Sequence, residues 1–159
     1  MVRYAPVLLF LIPLVLALSC DSGLEPPPPD PDPVGVISGT VTYSGNWPPE
    51  NELRELIFVP LKFIPSDFTQ VLNEFLLGNL KSSERLEFYV PSDTFLVTEL
   101  ENGVYVYNII ANQYGPVVFT DWRPLGVYIE NDGLIFIDND TVFIHIHVDF
   151  DNLPPFPPE

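Results

Sequence analysis

Phe95-Leu96-Val97-Thr98-Glu99-Leu100-Glu101-Asn102-Gly103-Val104-Tyr105-Val106-Tyr107 is the stretch on which the fold of this chain turns. Thr94 to Leu100 is rich in Phe, Leu, Val and Thr and reads as a strand. Glu101-Asn102-Gly103 then breaks the run. A glycine after Glu-Asn enters positive φ without a Cβ penalty, so the spacing predicts a tight corner at Gly103. The chain resumes as a second strand. Tyr105, just past the corner, is expected to bury its ring between two sheets.

The same pattern extends outward. Ile37, Gly39, Val41 and Tyr43 alternate with Ser38, Thr40 and Thr42, which predicts a first strand closed by a turn at Ser44-Gly45-Asn46. Residues 54–63 read as a second strand. Pro60 places an edge or a bulge in it, because proline cannot donate to a ladder. Further strands are expected at 86–90, 94–100, 104–111, 116–119, 125–130, 134–137 and 141–150, separated by turns rich in Asn, Asp and Gly. Short strands with such punctuation predict an all-β sandwich. One segment has a different period: Phe68, Val71, Leu72, Phe75 and Leu76 fall at helical spacing. Ser66 is the expected N-cap, with Asp67 in the first turn and Gly78 as the stop. This helix, over 66–77, is too short to stand alone and is expected to lay its apolar stripe on the sheet.

Ahead of the β pattern, residues 5–18 form an apolar run after Arg3 that ends at Ser19-Cys20. The run is shorter than the ~20 residues a spanning helix needs, and Pro6 and Pro13 interrupt it. It resembles a bacterial lipoprotein signal, cut just before the cysteine that receives the lipid. The resemblance implies a signal peptide over 1–19 and lipidation at Cys20. Residues 20–33 then carry that cysteine and a stalk. Glu25 to Pro33 favours solvated polyproline II and spans roughly 28 Å at ~3.1 Å per residue. The sandwich is expected over 34–150, followed by an extended, proline-rich tail over 151–159.

Ile37-Ser38-Gly39-Thr40-Val41 and the 95–107 stretch resemble carboxypeptidase regulatory-like domains. That resemblance implies a Greek-key β-sandwich of the transthyretin-like, or prealbumin-like, kind, here with one short inserted α-helix. It also implies a domain that is mostly non-catalytic.

Composition narrows the function classes. Six Lys and Arg face 22 Asp and Glu, a formal charge of −16. Removal of residues 1–19 takes away Arg3 and leaves five basic residues against the same 22 acids, or −17. Such a chain repels phosphate backbones, so nucleic acid is disfavoured as a partner. It repels anionic headgroups too, so attachment to a membrane falls to the lipid. With Cys20 lipidated, no thiol remains for a disulfide or a thiolate metal site. The sequence contains no Gly-x-Ser-x-Gly, phosphate loop or dinucleotide glycine pattern, and neither a cofactor nor catalysis is expected.

Three sets of side chains are candidate sites. Trp47, Tyr114, Trp122 and Tyr128 could stack on sugar rings, although a loop tryptophan more often covers the open end of a core. His145 and His147, at i and i+2 of a strand, point the same way and could share a metal with Asp149 as third ligand. An outward polar face is preferred, because two imidazoles and one displaced carboxylate fall short of a zinc site. The acidic turns Asp138-Asn139-Asp140, Glu130-Asn131-Asp132 and Asp149 with Asp151 offer oxygens to Ca²⁺. None follows an EF-hand loop, and Asn and Asp are ordinary turn formers. The reading that remains is a non-enzymatic, lipid-anchored protein of the bacterial cell envelope, a structural or binding module outside the cytoplasm. The outer membrane or cell surface is favoured over the inner membrane. Its expected partners are the membrane, through the lipid, and envelope proteins or polysaccharide. The alternative is a carbohydrate-binding accessory lipoprotein, and a third reading, ranked below it, is a metal-binding protein that uses the last strand.

Overall fold

The structure, a computed structural model, describes residues 34–158. The expected signal peptide, Cys20 and the stalk lie outside the described residues. The chain is mostly β, as its alternation predicts. Among the described residues eight strands form two three-stranded sheets and a two-stranded ribbon. In the first sheet, β1 (Val34–Ser44) lies between β3 (Ser92–Glu101) and β8 (Thr141–Asp149). β1 runs antiparallel to β3 and parallel to β8. In the second sheet, β5 (Tyr107–Gln113) lies between β2 (Glu55–Leu61) and β6 (Trp122–Val127), all antiparallel. The ribbon pairs β4 (Gly103–Tyr105) with β7 (Ile135–Ile137).

The apolar faces of these sheets pack together. Ile37 and Val41 of β1, Phe58 of β2, Ile110 of β5 and Ile146 of β8 are all fully or almost fully buried in one cluster. Phe58 stacks on Phe95 with ring centroids 4.3 Å apart, which joins the two sheets directly. β8 alternates as its sequence predicts, with Ile144, Ile146 and Val148 buried and Phe143, His145 and His147 exposed. Pro60 sits in β2, an edge strand of its sheet.

The stretch 95–107 shows how a corner is built. Leu100 pairs with Gly35 and Val97 with Ile37, so β3 holds one residue more than β1 across this step. The extra residue is taken up at Glu99, whose φ is +57°, and this bulge explains why the buried positions run 95, 97, 100 instead of alternating strictly. Gly103 turns the chain at φ +138°. Tyr105 is buried, and its hydroxyl donates to the carbonyl of Glu101 at 3.0 Å. Burial, and secondarily the Glu101 charge, push its phenol up to about 12. Lys62 closes the corner from outside, donating to the Glu101 carboxylate at 2.9 Å and to the Asn102 carbonyl at 3.1 Å. That hydrogen bond and charge hold the Glu101 carboxyl below its ordinary value.

Several expected strands differ. The strand predicted over 104–111 is two strands, because the chain changes partners at Val106: β4 pairs with β7, whereas β5 pairs with β2 and β6. Residues 86–90 are not a strand. The Leu86 amide donates to the β2 edge at Leu56 (2.8 Å), but Tyr89 at φ +59° turns the chain away. Residues 116–119 form a loop, because Asp121 accepts the Val117 amide at 2.9 Å and curls the chain back on itself. β6 starts and ends earlier than expected, and Asn131, Asp132 and Gly133, all at positive φ, form a tight turn beyond it.

The helix α1 spans Phe68–Leu76. Its N-cap is Asp67 and not Ser66: the Asp67 carboxylate accepts the Gln70 amide at 2.9 Å. Ser66 takes a supporting part, donating its amide to the Gln70 side chain at 3.0 Å. At the other end the Gly78 amide donates to Phe75 and the Asn79 amide to Glu74, the pair of bonds by which a left-handed glycine closes a helix. The tail departs from the expected free extension: Leu153 packs against the inter-sheet cluster and Phe156 against the outer face of the second sheet.

Candidate functional site

The second sheet is apolar on both faces. Alternation along β5 sends Asn108, Ile110 and Asn112 inward and Tyr107, Ile109 and Ala111 outward, and all six are buried. The outward set joins Val59 and Leu61 of β2 in a second cluster. Something must cover such a face, since exposed apolar area costs about 25 cal/mol per Å². The cover is α1, the segment after it and the end of the tail. This cover is loose: α1 has no buried residue, and Phe75, Leu76 and Leu77 are 60–71 % exposed.

A cavity of about 530 Å³ lies between cover and sheet. Its floor is the outer face of β2 and β5, and its roof is Phe68, Val71, Leu72 and Phe75 of α1. Val118, Phe119 and Trp122 line one side, and Phe156 of the tail contributes a ring. The 116–121 loop that carries this side is held by hydrogen bonds at both of its ends. Asp121 accepts the Val117 amide, and the Trp122 indole donates to the Val118 carbonyl at 2.7 Å. The volume falls in the range of roughly 300–1,000 Å³ typical of small-molecule sites, and the lining is dominated by apolar side chains as such sites are. Lys81, Arg85 and Arg123 bring positive charge to the same cavity. Lys81 pairs with Glu99 at 3.1 Å and Arg123 with Glu52 at 3.0 Å.

The aromatic candidates are dispersed. Trp47 packs on Tyr43, Tyr89 and Phe150 with centroids 4.4–5.4 Å apart, and so closes one end of the inter-sheet cluster. Burial raises the Tyr43 phenol there, with a further push from Asp93. Trp122 packs against the other cluster. Tyr114 lies under the Arg123 guanidinium, 5.2 Å from ring centroid to the guanidinium carbon. Tyr128, expected on the surface, is buried in the core. The tryptophans therefore pack against different clusters and share no platform.

His145 and His147 do lie together on the outward face of β8. Thr42 of β1 bridges them, its hydroxyl 3.2 Å from His145 Nε2 and 3.0 Å from His147 Nδ1. Ser44 Oγ is 2.9 Å from His147 Nε2. Asp149 instead accepts the Asp151 amide at 3.1 Å. Among the described residues no group of three or more His, Cys, Asp or Glu is placed to hold a metal. The acidic turns serve the backbone: Asp140 accepts the Asp138 amide, and Asp151 accepts the Asn46 amide. Comparisons with protein-family models, curated proteins and solved structures return no match to this chain.

The cavity escaped sequence reasoning, although its parts were visible. A helical apolar stripe and an apolar strand flanking it were both legible. The space left between them depends on how far apart they are held.

Proposed function

We propose that this chain is a lipid-anchored, non-enzymatic binding module of the bacterial cell envelope, and that its binding site is the apolar cavity beneath α1. The observation that carries the reading is the unfilled space itself. Protein interiors pack to crystal-like density, yet here an apolar helix stands over an apolar sheet face with about 530 Å³ between them. An occupant of apolar character would complete the burial that neither element achieves alone.

The envelope part of the proposal rests on the Ser19-Cys20 signal, the proline-rich stalk and the strong negative charge. The transthyretin-like Greek-key assignment is part of the same reading, supported by the Gly103 corner, the buried Tyr105 and the packed sheets. Catalysis has no comparable support: His145 and His147 bond to Thr42 and Ser44, with no described acid completing a relay.

Two measurements test the proposal. Native protein should fractionate with membranes and carry acyl chains on Cys20, and Cys20→Ser should release it or leave a precursor. Purified protein should bind an environment-sensitive apolar dye with one-to-one stoichiometry, and Leu72→Trp, which fills the cavity from its roof, should abolish that binding. Dye binding unchanged by Leu72→Trp would overturn the cavity as the site.

A further inference from the structure

We propose that the cavity takes a single-chain anionic amphiphile of the fatty-acid kind, with its alkyl chain on the β2–β5 face and its carboxylate at Arg85. The inference rests on the cavity being the binding site.

The first support is the distribution of charge. The described residues carry five Lys and Arg against 17 Asp and Glu. Three of those five line this one cavity, but only two of the 17 acids do, Glu55 and Glu84. A basic cluster on so acidic a chain runs against the average field and attracts an anion to that place. Lys81 and Arg123 have carboxylate partners and stay partly exposed. Arg85 has no ion pair among the described residues; its guanidinium lies 4.7 Å from the Phe88 ring centroid. Its five donors remain available, and a guanidinium matches a carboxylate geometrically.

The second support is the order of residues along the floor. The Leu86 amide bonds to Leu56 at the free edge of β2, which sets Arg85 beside the Glu55 end of the floor. Arg123 is already engaged, donating Nε to the inward-facing Asn112 and Nη2 to Glu52. The rung Glu55–Gln113–Trp122 is the polar end of the floor. Beyond it come Ile57 with Ala111, Val59 with Ile109, and Leu61. The floor thus grades from charged to apolar in one direction. From Glu55 to Leu61 it runs roughly 20 Å at ~3.3 Å per residue. A single leaflet's acyl chain spans about 15 Å, half of a ~30 Å hydrocarbon core. One chain fits along this floor with its head at Arg85.

The third support is the lip. Phe75, Val118 and Phe119 line the cavity and are 52–60 % exposed. They give an alkyl tail an apolar surface to cross on entry.

Trp122 in the wall supplies the readout. Every described strand pairs within residues 34–149 and both clusters draw on residues 37–156, so a chain of residues 20–159 carrying Cys20→Ser keeps the whole unit. Its tryptophan emission is titrated with a dibrominated stearate, the corresponding methyl ester and the corresponding amine, which share one tail and differ in head charge. The acid should quench at low concentration and bind about ten-fold tighter than the ester, with the amine weakest. The quenching should vanish in Trp122→Phe. Arg85→Ala should bring the acid down to the affinity of the ester and leave the ester unchanged. Lys62→Ala, which removes a cation outside the cavity, should keep the preference. Equal binding of all three heads would overturn the anionic inference and leave the cavity standing. No quenching by any of them, or quenching that survives Trp122→Phe, would overturn both.

Discussion

The two faces of the β2–β5–β6 sheet are made of the same strands and are filled differently. The inner face meets a second sheet, and rings interleave at contact distance, as Phe58 does on Phe95 at 4.3 Å. The outer face meets a helix of nine residues that buries none of them and leaves a cavity of about 530 Å³. A sheet offers its partner a broad, nearly flat surface, so two sheets close on each other along their length. A short helix presents only a stripe, and its ends here are set by Asp67 and Gly78 and not by contact with the floor. One face is therefore the seat of stability. The other is free to hold something else.

The contrast can be broken or sharpened by substitution. Phe58→Ala should cost the most, about 3–5 kcal/mol in denaturant unfolding, because the buried ring leaves a void that two sheets cannot collapse to fill. A cost under ~1 kcal/mol would mean that the inner face is as loosely filled as the outer. Gly103→Val should cost about 1–3 kcal/mol, through the backbone, since a Cβ there would meet only the Lys62 side chain at 3.6 Å while φ stays at +138°. An unchanged melting temperature would place the strain elsewhere.

A smaller effect should appear at high pH. The folded state raises the Tyr105 phenol to about 12 from an ordinary 10.0, chiefly by burial. Its contribution is then fully present below pH ~10 and is lost as pH rises toward and through the folded value. Melting temperature should fall over that alkaline window, and Tyr105→Phe should shallow the fall. An identical pH slope in the variant would rule Tyr105 out as its source. The smallest effect belongs to the outer side. Leu72→Ala should change stability by no more than ~0.5 kcal/mol, because the residue is only half-buried in the roof. It should nevertheless weaken the binding of apolar dye. A loss of several kcal/mol would show that α1 is a packed part of the core, and the distinction between the two faces would disappear.

Much of the fold was legible because local rules and tertiary packing agree. β8 reads as a strand by strict alternation, and the same residues divide between core and surface in the structure. The helix was legible from its stripe, with its N-cap misplaced by one residue because Ser66 and Asp67 both carry capping side chains. Pro116-Val117-Val118-Phe119 was misread because β-branched and aromatic residues favour strands only where a partner strand is present. Here Asp121 bonds back to Val117, and Val117, Val118 and Phe119 stay about half exposed. Asn108 and Asn112 went unremarked. They lie four apart on the inward face of β5, and their amides donate to backbone carbonyls of Tyr105, Gly133, Glu55 and Gln113. Two asparagines in phase on an otherwise apolar strand are the signal that could have found them.

By itself the sequence determined the alternation of strands, the corner at Gly103, the place of the helix and the excess of negative charge. Each is a property of neighbouring residues or of composition, set by backbone sterics, side-chain period or charge count. Only the tertiary structure decided that 104–111 is shared between two sheets, that Trp47 and Trp122 pack against different clusters, and that three scattered basic residues converge on one apolar cavity. Those facts depend on register and on the spacing between layers. Register is settled by pairing partners distant in sequence, and a cavity is defined by the distance at which its walls are held apart.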